Sequence, residues 1–312
     1  MQFDGSFFKE ETRCDFVISS DMKHAWAAQM EILSDIELVC YKLGITCFAF
    51  WGTMLGAVRH KGFIPWDDDI DLAMKRSDFE RFKREASAYL PEFYVINTLY
   101  TEDPERRRDD HLMRVNNGDM IRFDDTFLKK FHGCPYVCGI DIYALDYLPP
   151  DKNQESLLRS LLKSISLIRE TIRIMHAVPR EFEEELAMIG EFAGSSLSTD
   201  PNLLYQELLV LSDRLFMSYG EDEASEITTY ARNLIYPGFR FQKESFDDPV
   251  WMDFENMQVS VAADYDTVLK VLFGANYMMP KYWASHDYPF YKPQQEQIRE
   301  MLGYVPILTL PD

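Results

Sequence analysis

The segment Trp51–Leu72 reads WGTMLGAVRHKGFIPWDDDIDL and holds the densest chemistry in the chain. Side chains alternate across a strand, so Asp69 and Asp71 leave one face while Ile70 and Leu72 leave the other. Asp67 joins the carboxylate face if the strand begins that early. Carboxylates two apart on one face repel each other by on the order of a few kcal/mol at low effective dielectric. A divalent cation between them removes that cost, and Mg²⁺ (or Mn²⁺) takes one or two carboxylates together with substrate phosphates. The alternative is a solvated acidic turn after Pro65, against which Ile70 and Leu72 argue by making the stretch amphipathic. A third acid, Asp141, stands in Gly139-Ile140-Asp141-Ile142-Tyr143, flanked by β-branched residues. If its strand lies beside the first, Asp69, Asp71 and Asp141 with a metal form a site for in-line displacement at phosphorus. Asp141 is then also the candidate base toward an acceptor hydroxyl; alternatively it bonds a neighbouring backbone.

Two further groups suit a phosphate. Gly52-Thr53 follows an expected strand, where glycine admits close backbone approach and Thr offers a hydroxyl and an N–H. Arg59 and Lys61 supply a fork and a point charge in an acidic neighbourhood, matching a diphosphate or serving as surface counter-ions. His60 between them reads as exposed. Cys134 and Cys138 with His132 resemble part of a zinc site, but the spacing lacks a second ligand pair.

The elements that must position these residues are readable in outline. A helix is expected over Asp21–Leu43, capped by Ser20 or Asp21 and stopped at Gly44, with Trp26, Met30, Leu33, Ile36, Cys40 and Leu43 on one stripe. Strands are expected at Ile45–Trp51, Asp69–Met74, Tyr94–Asn97, His111–Asn116, Met120–Phe123 and Gly139–Leu145. Ser77–Glu80 reads as a capping box opening a helix that Pro91 stops. After Pro149-Pro150 the pattern turns helical at Leu157–His176, Glu181–Ala193 and Leu203–Tyr219. A strand-like stretch at Phe254–Val261 and a helix from Tyr265 to Phe273 follow. The fold class is α+β, a mixed β-sheet core flanked by helices with a mostly helical C-terminal half. The expected division is a catalytic core over residues 1–150 and a helical region over 151–312 that completes the donor and acceptor site.

The chain has 312 residues, with 32 Lys and Arg against 52 Asp and Glu for a net charge of −20, which argues against nonspecific nucleic-acid binding. Hydrophobic residues at 46% exclude disorder. The 5 cysteines, odd in number and scattered, point to a reduced cytoplasmic protein. No secretory signal or membrane-length apolar run is visible. One helix leaves room for peripheral contact at the inner face of a membrane. Leu158, Leu161, Leu162, Ile165, Ile168, Ile172 and Met175 form its apolar stripe, opposed by Arg159, Lys163, Arg169 and Arg173. Packing of that stripe on the protein is the competing reading.

GTMLGAVRHKGFIPWDDDIDLAM resembles the signature of the LicD family of phosphocholine transferases, whose relatives include fukutin and fukutin-related protein and whose catalytic core has the nucleotidyltransferase fold. The resemblance continues at Gly139–Asp146 (GIDIYALD). It returns more loosely at Asp253–Glu255, Tyr265–Leu269, Gly274–Pro280 and His286, spanning roughly residues 25–290. By position it implies Asp69 and Asp71 as the metal-binding pair, Asp141 as the third acid, and Gly52 and Thr53 as the phosphate-contacting turn. It implies CDP-choline or a similar CDP-alcohol as donor and a glycan or lipid-linked glycan hydroxyl, such as a teichoic acid or lipopolysaccharide precursor, as acceptor. A quaternary ammonium is recognised by aromatic faces, so Trp66, Tyr143, Tyr147, Tyr282 and Trp283 become candidates. His286 is a candidate contact to donor or acceptor. The rival readings are a nucleotidyltransferase moving NMP from an NTP to a small acceptor, and a catalytically silent nucleotide-binding module.

Overall fold

The computed structural model describes residues 1–194, 196–282 and 288–311. The chain forms two compact units, each assembled from separate segments. Unit 1 comprises Met1–Asn97, Met113–Tyr143 and Ser245–Asp312, and unit 2 comprises Thr98–Leu112 and Ala144–Glu244. The sequence break read at Pro149-Pro150 falls close to one crossing, but the final segment belongs to unit 1.

Unit 1 opens with an antiparallel hairpin of β1 (Glu11–Arg13) and β2 (Phe16–Ile18). The long helix α1 (Ser20–Leu43) follows, capped by the Ser19 hydroxyl, which accepts from the Met22 N–H at 3.2 Å. Gly44 ends α1 at φ 62°, a conformation glycine adopts without penalty. The expected strand at Ile45–Trp51 is shorter: β3 covers Phe48–Ala49, and α2 (Trp51–His60) begins at once. Gly52 and Thr53 therefore sit in the first turn of a helix. Trp51 starts that turn at φ 41°, a strained value for a bulky residue.

Strand β4 (Ile70–Lys75) runs straight into α3 (Arg76–Glu85). Lys75 occupies the cap position, so the expected capping box does not form, and the Asp78 carboxylate instead accepts from the Thr46 N–H at 3.2 Å. Strands β5 (Val95–Asn97), β6 (Met113–Asn116) and β7 (Gly139–Tyr147) complete a sheet of order β3-β4-β7-β6-β5, with α4 at Asp125–Lys130 between β6 and β7. Residues 120–123, expected as a strand, are irregular.

In unit 2, α5 (Lys152–Met175) packs Leu162, Ile165, Ile168 and Ile172 into a core shared with α6 (Glu183–Ala193) and α7 (Pro201–Phe216). The last residues of β7 pair with β8 (Glu226–Thr228), followed by α8 (Tyr230–Ile235) and by β9 (Phe241–Gln242), which pairs with β8. Among the described residues no helix is long and apolar enough to cross a membrane.

The chain returns to unit 1 through the hairpin β10 (Val250–Phe254) and β11 (Met257–Val261), then α9 (Tyr265–Phe273) and α10 (Lys292–Leu302).

Candidate active site

The alternation expected in the acidic strand is present. Ile70 and Leu72 are 0% and 1% exposed in the core, while Asp67, Asp69 and Asp71 are half-buried on the other face. Neighbouring elements grip the backbone that carries these acids. Thr53 Oγ1 accepts from the Asp71 N–H at 2.8 Å, and the Phe50 N–H donates to the Asp71 carbonyl at 2.9 Å. Two side chains of α1, three residues apart and so on one face, hold the preceding turn. Trp26 Nε1 donates to the Asp67 carbonyl at 3.1 Å, and Gln29 Nε2 donates to the Asp68 carbonyl at 2.7 Å.

The carboxylates share one electrostatic field. Burial pushes the Asp71 carboxyl well above its usual range, and the charges of Asp69, Asp141 and Asp67 push it further, opposed by the Arg114 guanidinium. The Asp67 carboxyl is likewise raised, first by burial and then by Asp69 and Asp68. β4 and β7 are neighbours in the sheet, and the charges of Asp69, Asp141 and Asp67 all act on Asp71. One carboxylate oxygen from each of Asp67, Asp68 and Asp69 lies within 4.8 Å of the others. Asp68, fully buried, accepts from the Phe290 N–H at 2.5 Å. An all-oxygen donor set in which Asp67 and Asp71 hold their protons more tightly suits a hard divalent cation, which would release them.

Gly52 explains how the first turn of α2 fits beside this field. A Cβ there would stand 2.2 Å from Asp67 Oδ2, so the missing side chain makes room for the carboxylate at the helix N-terminus. At the other end of α2, Arg59 Nη1 donates to the Tyr277 carbonyl at 2.7 Å and Nε donates to His60 Nε2 at 2.8 Å. Burial lowers the Arg59 pKa, and the charges of Cys14 and Asp67 oppose that shift. His60, expected as exposed, is half-buried. Burial and then the cations Arg59 and Arg13 push it down to about 4, so it accepts as a neutral ring. Lys61 is exposed, at φ 56° in the left-handed cap of α2.

Trp66 belongs to an aromatic group beside Asp67. Its ring centroid lies 5.8 Å from Tyr282 and 6.3 Å from Phe16, and Phe16 lies 5.9 Å from Tyr282 and 5.5 Å from Tyr288. Burial raises the Tyr288 phenol, with Tyr291, Asp68, Tyr282 and Asp67 adding to the shift. Tyr143 shares the Asp141 face of β7 and forms a second group, 6.2 Å from Trp51 and 5.7 Å from Phe50. Tyr147 is buried and its carbonyl accepts from the Tyr230 hydroxyl at 3.3 Å, so it is a core residue of unit 2. Trp283 and His286 lie outside the described residues.

A family model described as LicD/FKTN/FKRP, nucleotidyltransferase domain, matches residues 44–132. The chain is 25% identical over 256 residues to the lipopolysaccharide cholinephosphotransferase LicD of Haemophilus influenzae, covering 80% of this chain and 89% of that protein. Residues 44–132 thus match a LicD-type nucleotidyltransferase domain. It is also 36% identical over 63 residues to an uncharacterized protein of Rickettsia typhi, covering 20% of this chain and 19% of that one.

The LicD domain match holds Gly52, Thr53, the acids of residues 67–71 and Arg114, whereas Phe16, Asp141, Tyr282 and Tyr288 lie outside it. Arg13 and Glu255 also lie outside it. Arg13 Nη1 and Nη2 donate to the Glu255 carboxylate at 2.5 and 3.0 Å. Glu255 in turn accepts from the Phe63 N–H at 3.2 Å, closing the turn after α2. Asp67, Phe16, Tyr288, Arg114 and Glu255 were not among the expected site residues, although Asp67 was legible as an extension of the alternation. The zinc reading gains no support: among the described residues the metal-capable group contains no cysteine. Cys134 and Cys138 are buried thiols with sulfurs 3.7 Å apart. Six residues of the α5 apolar stripe, Leu158 through Ile172, pack into unit 2 while Met175 is exposed, and Arg159 pairs with Glu155 at 2.6 Å.

Proposed function

We propose that the chain is a LicD-type phosphotransferase that moves phosphocholine, or a similar phospho-alcohol, from a CDP-linked donor to a hydroxyl of a glycan such as a lipopolysaccharide or teichoic acid precursor. The observation that carries the reading is the aromatic group of Phe16, Trp66, Tyr282 and Tyr288 beside the acidic field. A quaternary ammonium has no N–H to donate, so aromatic faces recognise it while a neighbouring polar site handles the phosphates. The name of the Haemophilus influenzae relative supports the same transferred group.

Asp67, Asp69, Asp71 and Asp141 would hold Mg²⁺ or Mn²⁺, which when bound supplies charge neutralisation for the donor phosphates. The chain's own residues do the rest. Lys61, exposed at the end of α2, offers a point charge to the diphosphate, and Arg59 keeps its charge near Asp67. The acceptor oxygen bonds to the β-phosphorus as the bond to the CMP oxygen breaks. CMP leaves with that electron pair, and the acceptor proton passes to the Asp141 carboxylate.

The test is product analysis with CDP-choline, a glycan acceptor and Mg²⁺. CMP is the expected product, and Asp71→Asn abolishes its release while the fold stays intact. Trp66→Leu is expected to raise KM for CDP-choline about 3- to 30-fold, the range of one to two cation–π contacts. Pyrophosphate formed from an NTP, with no CMP from CDP-choline, overturns the reading.

A further inference from the structure

Arg114 was not among the expected site residues, yet it opposes the acidic field. It stands on β6 directly across from Asp141 in the antiparallel register, so both side chains leave the same face. Its Nε lies 3.2 Å from Asp141 Oδ1, and its charge also reaches Asp71. A Cβ on Gly139 would stand 2.2 Å from Asn116 Oδ1 and 2.8 Å from Arg114 Nε, so the glycine leaves room for both side chains of β6.

The pair differs from the structural one nearby. Arg13 forks onto Glu255 through two hydrogen bonds, with side chains 30% and 7% exposed. Arg114 and Asp141 are 40% and 19% exposed, and Nε meets the carboxylate as an ion pair without hydrogen-bond alignment. A contact lacking the parallel fork is weaker and more readily exchanged. A guanidinium and a metal ion also compete for one carboxylate, since both are cations seeking the same oxygens.

We propose that Arg114 is the exchangeable counter-ion of the acidic field: it neutralises Asp141 when no cation is bound, and turns to the donor diphosphate when one is. The inference rests on the metal reading above. It makes donor and cation bind cooperatively, because the diphosphate gives the displaced guanidinium a new partner and linkage is reciprocal.

Mn²⁺ binding to the full chain, followed by the electron paramagnetic resonance of the free ion, tests this without turnover. With Mn²⁺ alone, Arg114→Gln is expected to bind about tenfold more tightly than wild type, and Arg114→Lys within about threefold of it. Adding CDP should tighten Mn²⁺ binding to wild type by about ten times more than it does for Arg114→Gln. Arg114→Met, which keeps the length of the side chain and removes its charge, should tighten Mn²⁺ binding in the same way and serves if Arg114→Gln does not fold. Equal or weaker Mn²⁺ binding by the variants, or the same CDP effect in wild type and variant, overturns the proposal alone. Failure of wild type to bind Mn²⁺ at all overturns the metal reading, and this inference with it.

Discussion

Gly52→Ala separates the site from the fold. The new methyl would begin 2.2 Å from Asp67 Oδ2, and Cβ atoms essentially never sit within 3.0 Å of another heavy atom, so the oxygen must withdraw by at least the 0.8 Å between them. The Asp67 backbone cannot follow, because its carbonyl accepts from Trp26 Nε1 and its N–H donates to the Ile64 carbonyl. The carboxylate therefore rotates away alone, off its preferred rotamer, at a cost of about 0.5–1.5 kcal/mol. Replacing glycine by alanine in a helix returns about 0.5–1 kcal/mol, so net stability barely moves. A displacement near 1 Å of a group in the reacting constellation costs roughly 10²-fold in rate. The expected result is a melting temperature within about 3 °C of wild type, with CMP release from CDP-choline down about 100-fold and weaker Mn²⁺ binding. Gly56→Ala is the control, because its methyl would meet the Gly62 carbonyl, a backbone atom, at 2.4 Å. That variant should lose stability outright. Wild-type activity in a folded Gly52→Ala would refute the placement of Asp67 in the working site.

Thr53→Val removes the acceptor of the Asp71 N–H from a side chain 3% exposed, leaving a buried donor unmet at a cost of about 1–3 kcal/mol. Thr53→Ser should restore most of that in urea denaturation, and equal midpoints for Val and Ser would sink the argument. His60 falls from 6.5 to about 4 in the fold, so the unfolded chain takes up its proton first. Stability is therefore present above pH 6.5 and lost as pH falls through about 4, by at most about 3 kcal/mol. His60→Gln, whose amide oxygen still accepts from Arg59, should flatten that part of the pH–stability curve. Identical curves for variant and wild type would show that His60 does not titrate this way.

What could be read from the sequence was whatever depends on near neighbours. The Asp69/Asp71 face follows from alternation alone, and the α5 stripe follows from helical spacing, though not which surface would bury it. The first turn of α2 was misread as the end of a strand. The run Ile45–Trp51 is rich in β-forming residues, and the helix starts at Trp51 with no side-chain cap to announce it. Its Gly-Thr pair was expected to admit a phosphate. The glycine admits the carboxylate of Asp67, and the Thr hydroxyl holds the strand bearing Asp71.

The remaining features are non-local by construction. Arg13 meets Glu255 across 242 positions of sequence, and no local pattern pairs them. Arg114 becomes visible only once the β6–β7 register is known, since a shift of one residue would turn it to the opposite face of the sheet from Asp141. The same holds for the aromatic group, which gathers Phe16 from the first hairpin, Trp66 from the acidic turn, and Tyr282 and Tyr288 from the last segment of unit 1. The acids can be read within one stretch because adjacent carboxylates need only share a strand face. A group that recognises one end of a donor must face those acids across space, so its residues come from wherever the chain passes.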